Sequence, residues 1–199
     1  MFRYALATTC FALAFCANAS TIDPASLPEV KRFSNDNKTA VYMSATEALS
    51  ISASRTQNGT KVLMLDIRSH PEAQYVGVPV GADALISWSN PDITQWDEKR
   101  NVLKMQPNPN FVAMVDAELE KAGLTKNDLV ILMCRSGDRS SKAADALVKA
   151  GYQKVASVVD GLEGDINKNT GLRDINGWRN TPDAKWSLRP TKEYFRGLK

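Results

Sequence analysis

The chain has 199 residues, of which 43% are hydrophobic, and this is enough for one domain with a substantial core. Its 25 basic and 22 acidic residues give a net charge of +3, which is too balanced for a surface that binds nucleic acid or another polyanion. With one histidine, three cysteines and no phosphate-binding or dinucleotide-binding glycine pattern, neither a zinc site nor a bound cofactor is expected.

Residues 1–19 have the pattern of a secretory signal peptide. A basic start precedes an apolar run that ends at Cys16, and residues 17–19 supply a small-x-small cleavage pattern. A membrane anchor is the alternative, but the run is well short of the ~20 residues that a spanning helix needs. A lipoprotein is disfavoured because Phe15 is too large for the residue before a lipidated cysteine. We therefore expect cleavage after Ala19, export to a bacterial periplasm and no stable membrane insertion afterwards.

The first elements after this leader are an extended lead-in at residues 20–39 and a short strand at residues 40–43. Ser44 and Glu47 have the spacing of a capping box, which predicts a helix that runs towards residue 54. After an Asn-Gly turn signal, residues 61–65 are almost entirely apolar. Such a run is typical of a strand in a parallel sheet that is covered on both faces.

The middle of the chain continues with a helix that starts at Ser69, where Pro71 occupies the first turn. Residues 77–82 then predict a turn, and residues 84–86 a short strand. Residues 87–110 contain three prolines and no clear period, so they are predicted to form a long loop.

The C-terminal half begins with a helix at residues 111–122, which has Asn110 as its cap. A strand at residues 129–133, a helix that ends near Gly151 and a strand at residues 155–159 follow. Alternating strands and helices predict an α/β fold with a parallel sheet. The tail at residues 166–199 carries two tryptophans, so we expect it to pack on the domain.

Cys134 is the only cysteine that remains after the leader, so it has no partner for an internal disulfide. It is therefore either a buried inert thiol or a reactive one. The loop at residues 134–139 joins a strand to a helix, where backbone N–H groups and the positive end of the helix dipole converge. Arg135 and Arg139 add positive charge, which favours the thiolate. We therefore predict a reactive cysteine.

This loop resembles the active-site loop of the rhodanese family of sulfurtransferases. Supporting matches lie at residues 66–68, 77–82 and 155–161. The sequence departs from the family pattern at Val78, where many members have histidine, and at Leu162, which interrupts a glycine pair. The resemblance covers residues 40–165 and implies a rhodanese-like fold, with a central parallel sheet of about five strands and helices on both faces.

The resemblance also implies a two-step sulfur transfer. The Cys134 thiolate would take the outer, sulfane sulfur from a small donor such as thiosulfate, and the persulfide would pass it to cyanide or a thiol. Backbone N–H groups from Arg135 to Arg139, including those of Ser136 and Asp138, would stabilise the negative charge. Among side chains, Arg135 would bind the sulfonate end of the donor.

The other residues of the expected site have structural or functional roles, and for most of them more than one role is open. Gly137 is expected to have a positive φ angle. Ser140 would cap the next helix or hydrogen-bond to the sulfur. Asp138 would be a solvated turn residue, or its negative charge would reduce the positive potential of Arg135 or Arg139. Asp66 and Arg68 would line the pocket by resemblance, or would pair with each other or cap a helix.

Two other functions compete with small-molecule sulfur transfer. The first is a module that delivers its persulfide to a dedicated protein partner. The second is a cysteine phosphatase or arsenate reductase. Those enzymes have five residues between the cysteine and the arginine, whereas four separate Cys134 from Arg139. The shorter loop better suits a persulfide than a tetrahedral oxyanion, so sulfur chemistry is favoured.

Overall fold

The computed structural model describes residues 40–57 and 60–198. The predicted signal peptide, the lead-in and the Asn58-Gly59 turn lie outside these residues. The strands are β1 (Ala40–Met43), β2 (Thr56–Gln57), β3 (Thr60–Asp66), β4 (Val78–Pro79), β5 (Ala84–Leu85), β6 (Ser89–Asp97), β7 (Val102–Pro107), β8 (Leu129–Met133), β9 (Lys154–Val158) and β10 (Trp186–Ser187). The helices are α1 (Ala45–Ser54), α2 (His70–Val76), α3 (Phe111–Lys121) and α4 (Asp138–Lys149). Among the described helices, none is long and apolar enough to span a membrane.

A central sheet of five parallel strands carries the fold, in the order β1, β9, β8, β3, β5. The short strand β2 adds an antiparallel pair at the start of β3. Asp66 at the end of β3 lies opposite Met133 at the end of β8. Since Cys134 follows Met133, the expected site lies at the carboxyl edge of the sheet. The predicted α/β fold is confirmed.

Hydrophobic cores cover both faces of the sheet. On one face, Leu63 and Leu65 of β3 pack with α3 and α4, and on the other face Val62 and Met64 pack with α1. Strand side chains alternate between the faces, so both sets must be apolar. This explains the near-continuous apolar runs of β3 and β8.

Local capping explains where two helices begin. Ser44 and Glu47 form the predicted capping box at α1, and Ser69 and Glu72 form a second one at α2. In the second box, the Ser69 N–H donates to the Glu72 carboxylate at 2.9 Å. Asn110 precedes α3 as predicted, but in the described structure its side chain makes no capping hydrogen bond.

The prediction of a long loop at residues 87–110 is wrong, because most of this segment forms an antiparallel hairpin. Strand β6 pairs with β7 from Ser89 opposite Pro107 to Asp97 opposite Val102, with a register shift after Pro91. The hairpin has little cover, and its central residues are exposed. In β6, exposure on both faces removes the alternation of apolar and polar residues that normally indicates a strand.

The tail packs on the domain through strand pairing and core contacts. Strand β10 pairs with β4, which occupies part of the predicted turn. Trp178 is completely buried in the core on the α1 face. Near the C-terminus, Arg196 forms an ion pair with the buried Glu118 of α3 at 2.5 Å. The tail is therefore part of the same folded unit as the sheet.

Candidate active site

Cys134 lies directly after β8 and is only 1% exposed. Its Sγ accepts a hydrogen bond from the Gly137 N–H at 3.1 Å and lies 3.5 Å from the Ser140 hydroxyl. Gly137 has the expected positive φ, +92°. This φ turns the loop back, so that its amide faces the sulfur. The thiol is thus both buried and hydrogen-bonded at a strand-to-helix turn.

Five backbone N–H groups, those from Arg135 to Arg139, were predicted to stabilise the sulfur. In the described structure, one of them forms a hydrogen bond with it. Within the described loop, the Gly137 N–H is the one amide that forms a hydrogen bond with the Cys134 Sγ. The Ser140 hydroxyl also donates to the Gly137 carbonyl at 3.1 Å and accepts from Ser157 at 2.8 Å. Ser140 therefore both closes the first turn of α4 and contacts the sulfur, and Ser157 on β9 supports it.

A second loop, residues 160–164, forms a wall against the cysteine loop. The Leu162 N–H donates to the Cys134 carbonyl at 2.8 Å, and the Glu163 N–H donates to the Arg135 carbonyl at 2.9 Å. Asp160 accepts from the backbone N–H groups of Ala45 and Gly177. Burial raises the pKa of Asp160, although these two hydrogen bonds oppose the shift.

Gly161 is expected to be intolerant of any side chain. Its φ is +63°, and an added Cβ would lie 2.6 Å from backbone atoms of Cys134 and Arg135. We expect Gly161→Ala to lower the free energy of unfolding by about 2–5 kcal/mol, from left-handed strain and overpacking together. Gly171→Ala is the matched control, because its φ is +73° but its Cβ would meet nothing within 4 Å. Urea denaturation of both variants tests this, and equal losses would contradict it.

Arg139 is paired with Glu72, a contact that the sequence did not predict. Its two terminal nitrogens donate to the two Glu72 oxygens, each at 2.6 Å. Burial alone would raise the pKa of Glu72, but the hydrogen bonds from Arg139 and Ser69 lower it to about 2. Glu72 therefore stays charged over the physiological pH range and neutralises Arg139. Glu72 lies in the first turn of the helix that was predicted to start at Ser69, but its contact with Arg139 could not be predicted from the sequence.

Asp66 and Arg68 form a buried ion pair rather than a free pocket lining. Arg68 is 0% exposed, and it donates to Asp66 at 2.7 Å and to the Gly77 carbonyl at 2.8 Å. It also contacts Glu163 at 3.3 Å, and the Tyr194 hydroxyl donates to Asp66 at 3.2 Å. Mutual pairing is one of the roles expected for Asp66 and Arg68, and the described structure has it.

The remaining predicted residues lie at the outer surface of the loop. Arg135 is exposed and Ser136 is half-buried. Asp138 is exposed and pairs with Lys142 at 3.1 Å, one turn along α4. Asp138 is therefore a solvated residue of the first helical turn, and it pairs with a lysine rather than with Arg135 or Arg139.

Known proteins match the part of the chain that carries this site. Residues 44–167 match the model of the rhodanese-like domain. Uncharacterized protein RP600 of Rickettsia prowazekii is 27% identical over 119 residues, covering 57% of this chain and 78% of that protein. Uncharacterized protein RC0915 of Rickettsia conorii is 28% identical over the same length, with the same coverage.

A solved structure also shares the fold. The crystal structure of Rv0390 from M. tuberculosis superposes with a TM-score of 0.53 and 23% identity, covering 77% of this chain and 100% of that one. The match to the rhodanese-like domain model, residues 44–167, includes the cysteine loop, the buried Asp66–Arg68 pair and the wall at residues 160–164. This family match supports an activity of the sulfurtransferase type or a related one. The chain therefore belongs to the family of proteins with a rhodanese-like domain.

Proposed function

We propose that the protein is a sulfurtransferase that moves a sulfane sulfur from a donor such as thiosulfate to cyanide or a thiol. The observation that carries the proposal is the hydrogen bond from the Gly137 N–H to the Cys134 Sγ at 3.1 Å. It directs a backbone dipole at the atom that becomes negatively charged when the thiol ionises and again when the acceptor removes the terminal sulfur and the Cys134 thiolate is released.

The reaction proceeds by double displacement. The Cys134 thiolate attacks the outer sulfur of thiosulfate, the sulfur–sulfur bond of the donor breaks, and sulfite leaves with the electron pair. The acceptor then attacks the terminal sulfur of the persulfide, and the Cys134 thiolate is released. Because Cys134 is 1% exposed, a segment that covers it has to move before the donor can reach the sulfur.

Arg135 is proposed to hold the sulfonate end of the donor. It is exposed beside the cysteine, and a planar guanidinium can bind two oxygens at once. Arg139 contributes less positive potential than its charge suggests, because Glu72 binds it through two hydrogen bonds.

We also propose that cleavage after Ala19 releases the protein into a periplasm, where it acts without stable membrane insertion and without nucleic acid.

Intact-protein mass spectrometry after incubation with thiosulfate tests the proposal. The mature protein is expected to gain one sulfur atom, and Cys134→Ser to gain none. Because serine is close to cysteine in size, thermal melting of Cys134→Ser should confirm that the variant is folded. A wild-type protein that gains no sulfur, or a Cys134→Ser variant that gains as much, would refute sulfur transfer through Cys134.

A protein acceptor is the second candidate, and the exposed hairpin favours it. Ile93 is 86% exposed and Trp96 is 46% exposed, so β6 offers apolar side chains to a partner. Under this alternative, the protein would load sulfur rapidly from thiosulfate but release almost none to cyanide. Rapid release to cyanide would favour the small-molecule acceptor instead.

A further inference from the structure

The arginines around the cysteine loop differ in whether a carboxylate neutralises them. Arg68 pairs with Asp66 and Glu163, and Arg139 pairs with Glu72. Within residues 40–57 and 60–198, the guanidinium groups of Arg135 and Arg173 form no ion pair. The two inner arginines are therefore neutralised, and the two outer ones keep their positive charge.

Backbone contacts hold Arg173 beside the cysteine loop. Its guanidinium donates to the Gly164 carbonyl, and Gly164 directly follows Glu163. The Glu163 N–H in turn donates to the Arg135 carbonyl at 2.9 Å. On the other side, the Asn180 amide donates to the Arg173 carbonyl at 3.0 Å. Arg173 is thus anchored to the wall that contacts Cys134 and Arg135.

The electrostatics of Arg173 agree with this placement. Partial burial lowers the pKa of Arg173, and the positive charge of Arg135 lowers it further. The negative charges of Glu163, Asp165 and an ionised Cys134 act in the opposite direction. Two like charges held within reach of each other repel, and an anion bound between them would remove this repulsion.

We propose that Arg173 and Arg135 together bind a small doubly charged oxyanion at the outer surface of the Cys134 loop. Arg173 lies outside residues 44–167, which match the family model, so this half of the site belongs to the tail of this chain. Two guanidinium groups that form no ion pair among the described residues match the charge and the oxygens of thiosulfate. The assignment of this anion as the sulfur donor rests on the proposed function.

Binding of thiosulfate to the unreactive Cys134→Ser variant tests the anion site separately from sulfur transfer. Isothermal titration calorimetry would compare Cys134→Ser alone with Cys134→Ser carrying Arg173→Gln, Arg173→Lys or Arg189→Gln. Arg189 is the matched control, because it is an exposed tail arginine without an ion pair among the described residues. We expect Arg173→Gln to weaken binding about tenfold, Arg173→Lys to weaken it less, and Arg189→Gln to leave it nearly unchanged.

Each outcome supports or overturns the anion site. An absence of thiosulfate binding by Cys134→Ser, or equal affinities in Arg173→Gln and its parent, would overturn it. So would equal losses in Arg173→Gln and Arg189→Gln, because they would reflect net charge alone. Sulfate, titrated in parallel, shows whether the site takes any divalent oxyanion. If thiosulfate binding depends on Arg173 but wild-type protein gains no sulfur, the anion site stands and the proposed sulfur transfer fails.

Discussion

Replacing Arg68 with methionine is expected to lower the free energy of unfolding by about 3–5 kcal/mol. The guanidinium is completely buried and contacts two carboxylates, those of Asp66 and Glu163. The pKa of Arg68 is raised, because these carboxylates outweigh the effect of burial, and it therefore remains charged. Methionine would fill similar space but would leave both carboxylates without their cation. The large loss comes from this uncompensated charge, rather than from the value of the pair itself.

Arg55→Met is the control for this prediction. Arg55 pairs with Asp83 at 2.6 Å, a distance close to that of the buried pair, but its side chain is 43% exposed. Water can replace the lost contact there, so we expect a loss of about 0–1 kcal/mol. Urea denaturation followed by circular dichroism would measure both. Losses of equal size in Arg68→Met and Arg55→Met would show that burial does not set the cost.

The central sheet could be predicted because its signals are local. The apolar runs of β3 and β8, the capping box at Ser44 and the helix start at Ser69 depend on neighbouring residues, and the structure has all of them. The hairpin at β6 and β7 could not be predicted in the same way. Four successive residues of β6 are exposed, on both faces of the strand, and Pro91 within β6 argues against a strand when only the sequence is read.

The partners that lie far away in the sequence could not be predicted from sequence spacing. Glu72 meets Arg139 across 67 positions, and Glu163 meets Arg68 across 95. Each contact depends on how separate loops meet at the edge of the sheet, and no local pattern encodes that meeting. For the same reason, the sequence suggested two free arginines at Cys134, whereas one of them is neutralised.

Replacing Trp178 with alanine is expected to lower the free energy of unfolding by about 3–5 kcal/mol. Trp178 is the largest fully buried side chain in the described structure, and it packs with Met43, Ile51 and Leu162 on the α1 face. Its backbone N–H also donates to the Gly161 carbonyl at 3.0 Å. The variant would therefore leave a large cavity next to the wall of the cysteine loop.

Trp96→Ala separates burial from the general effect of removing an indole. Trp96 lies on the hairpin and is 46% exposed, so we expect its removal to change the free energy of unfolding by no more than about 0.5 kcal/mol. Urea denaturation of both variants provides the comparison. Similar small losses would mean that the tail contributes little to the core. A large loss in Trp178→Ala alone would mean that the folded unit extends past residue 167. Trp178 belongs to the core on the α1 face, yet it lies eleven residues beyond the family match.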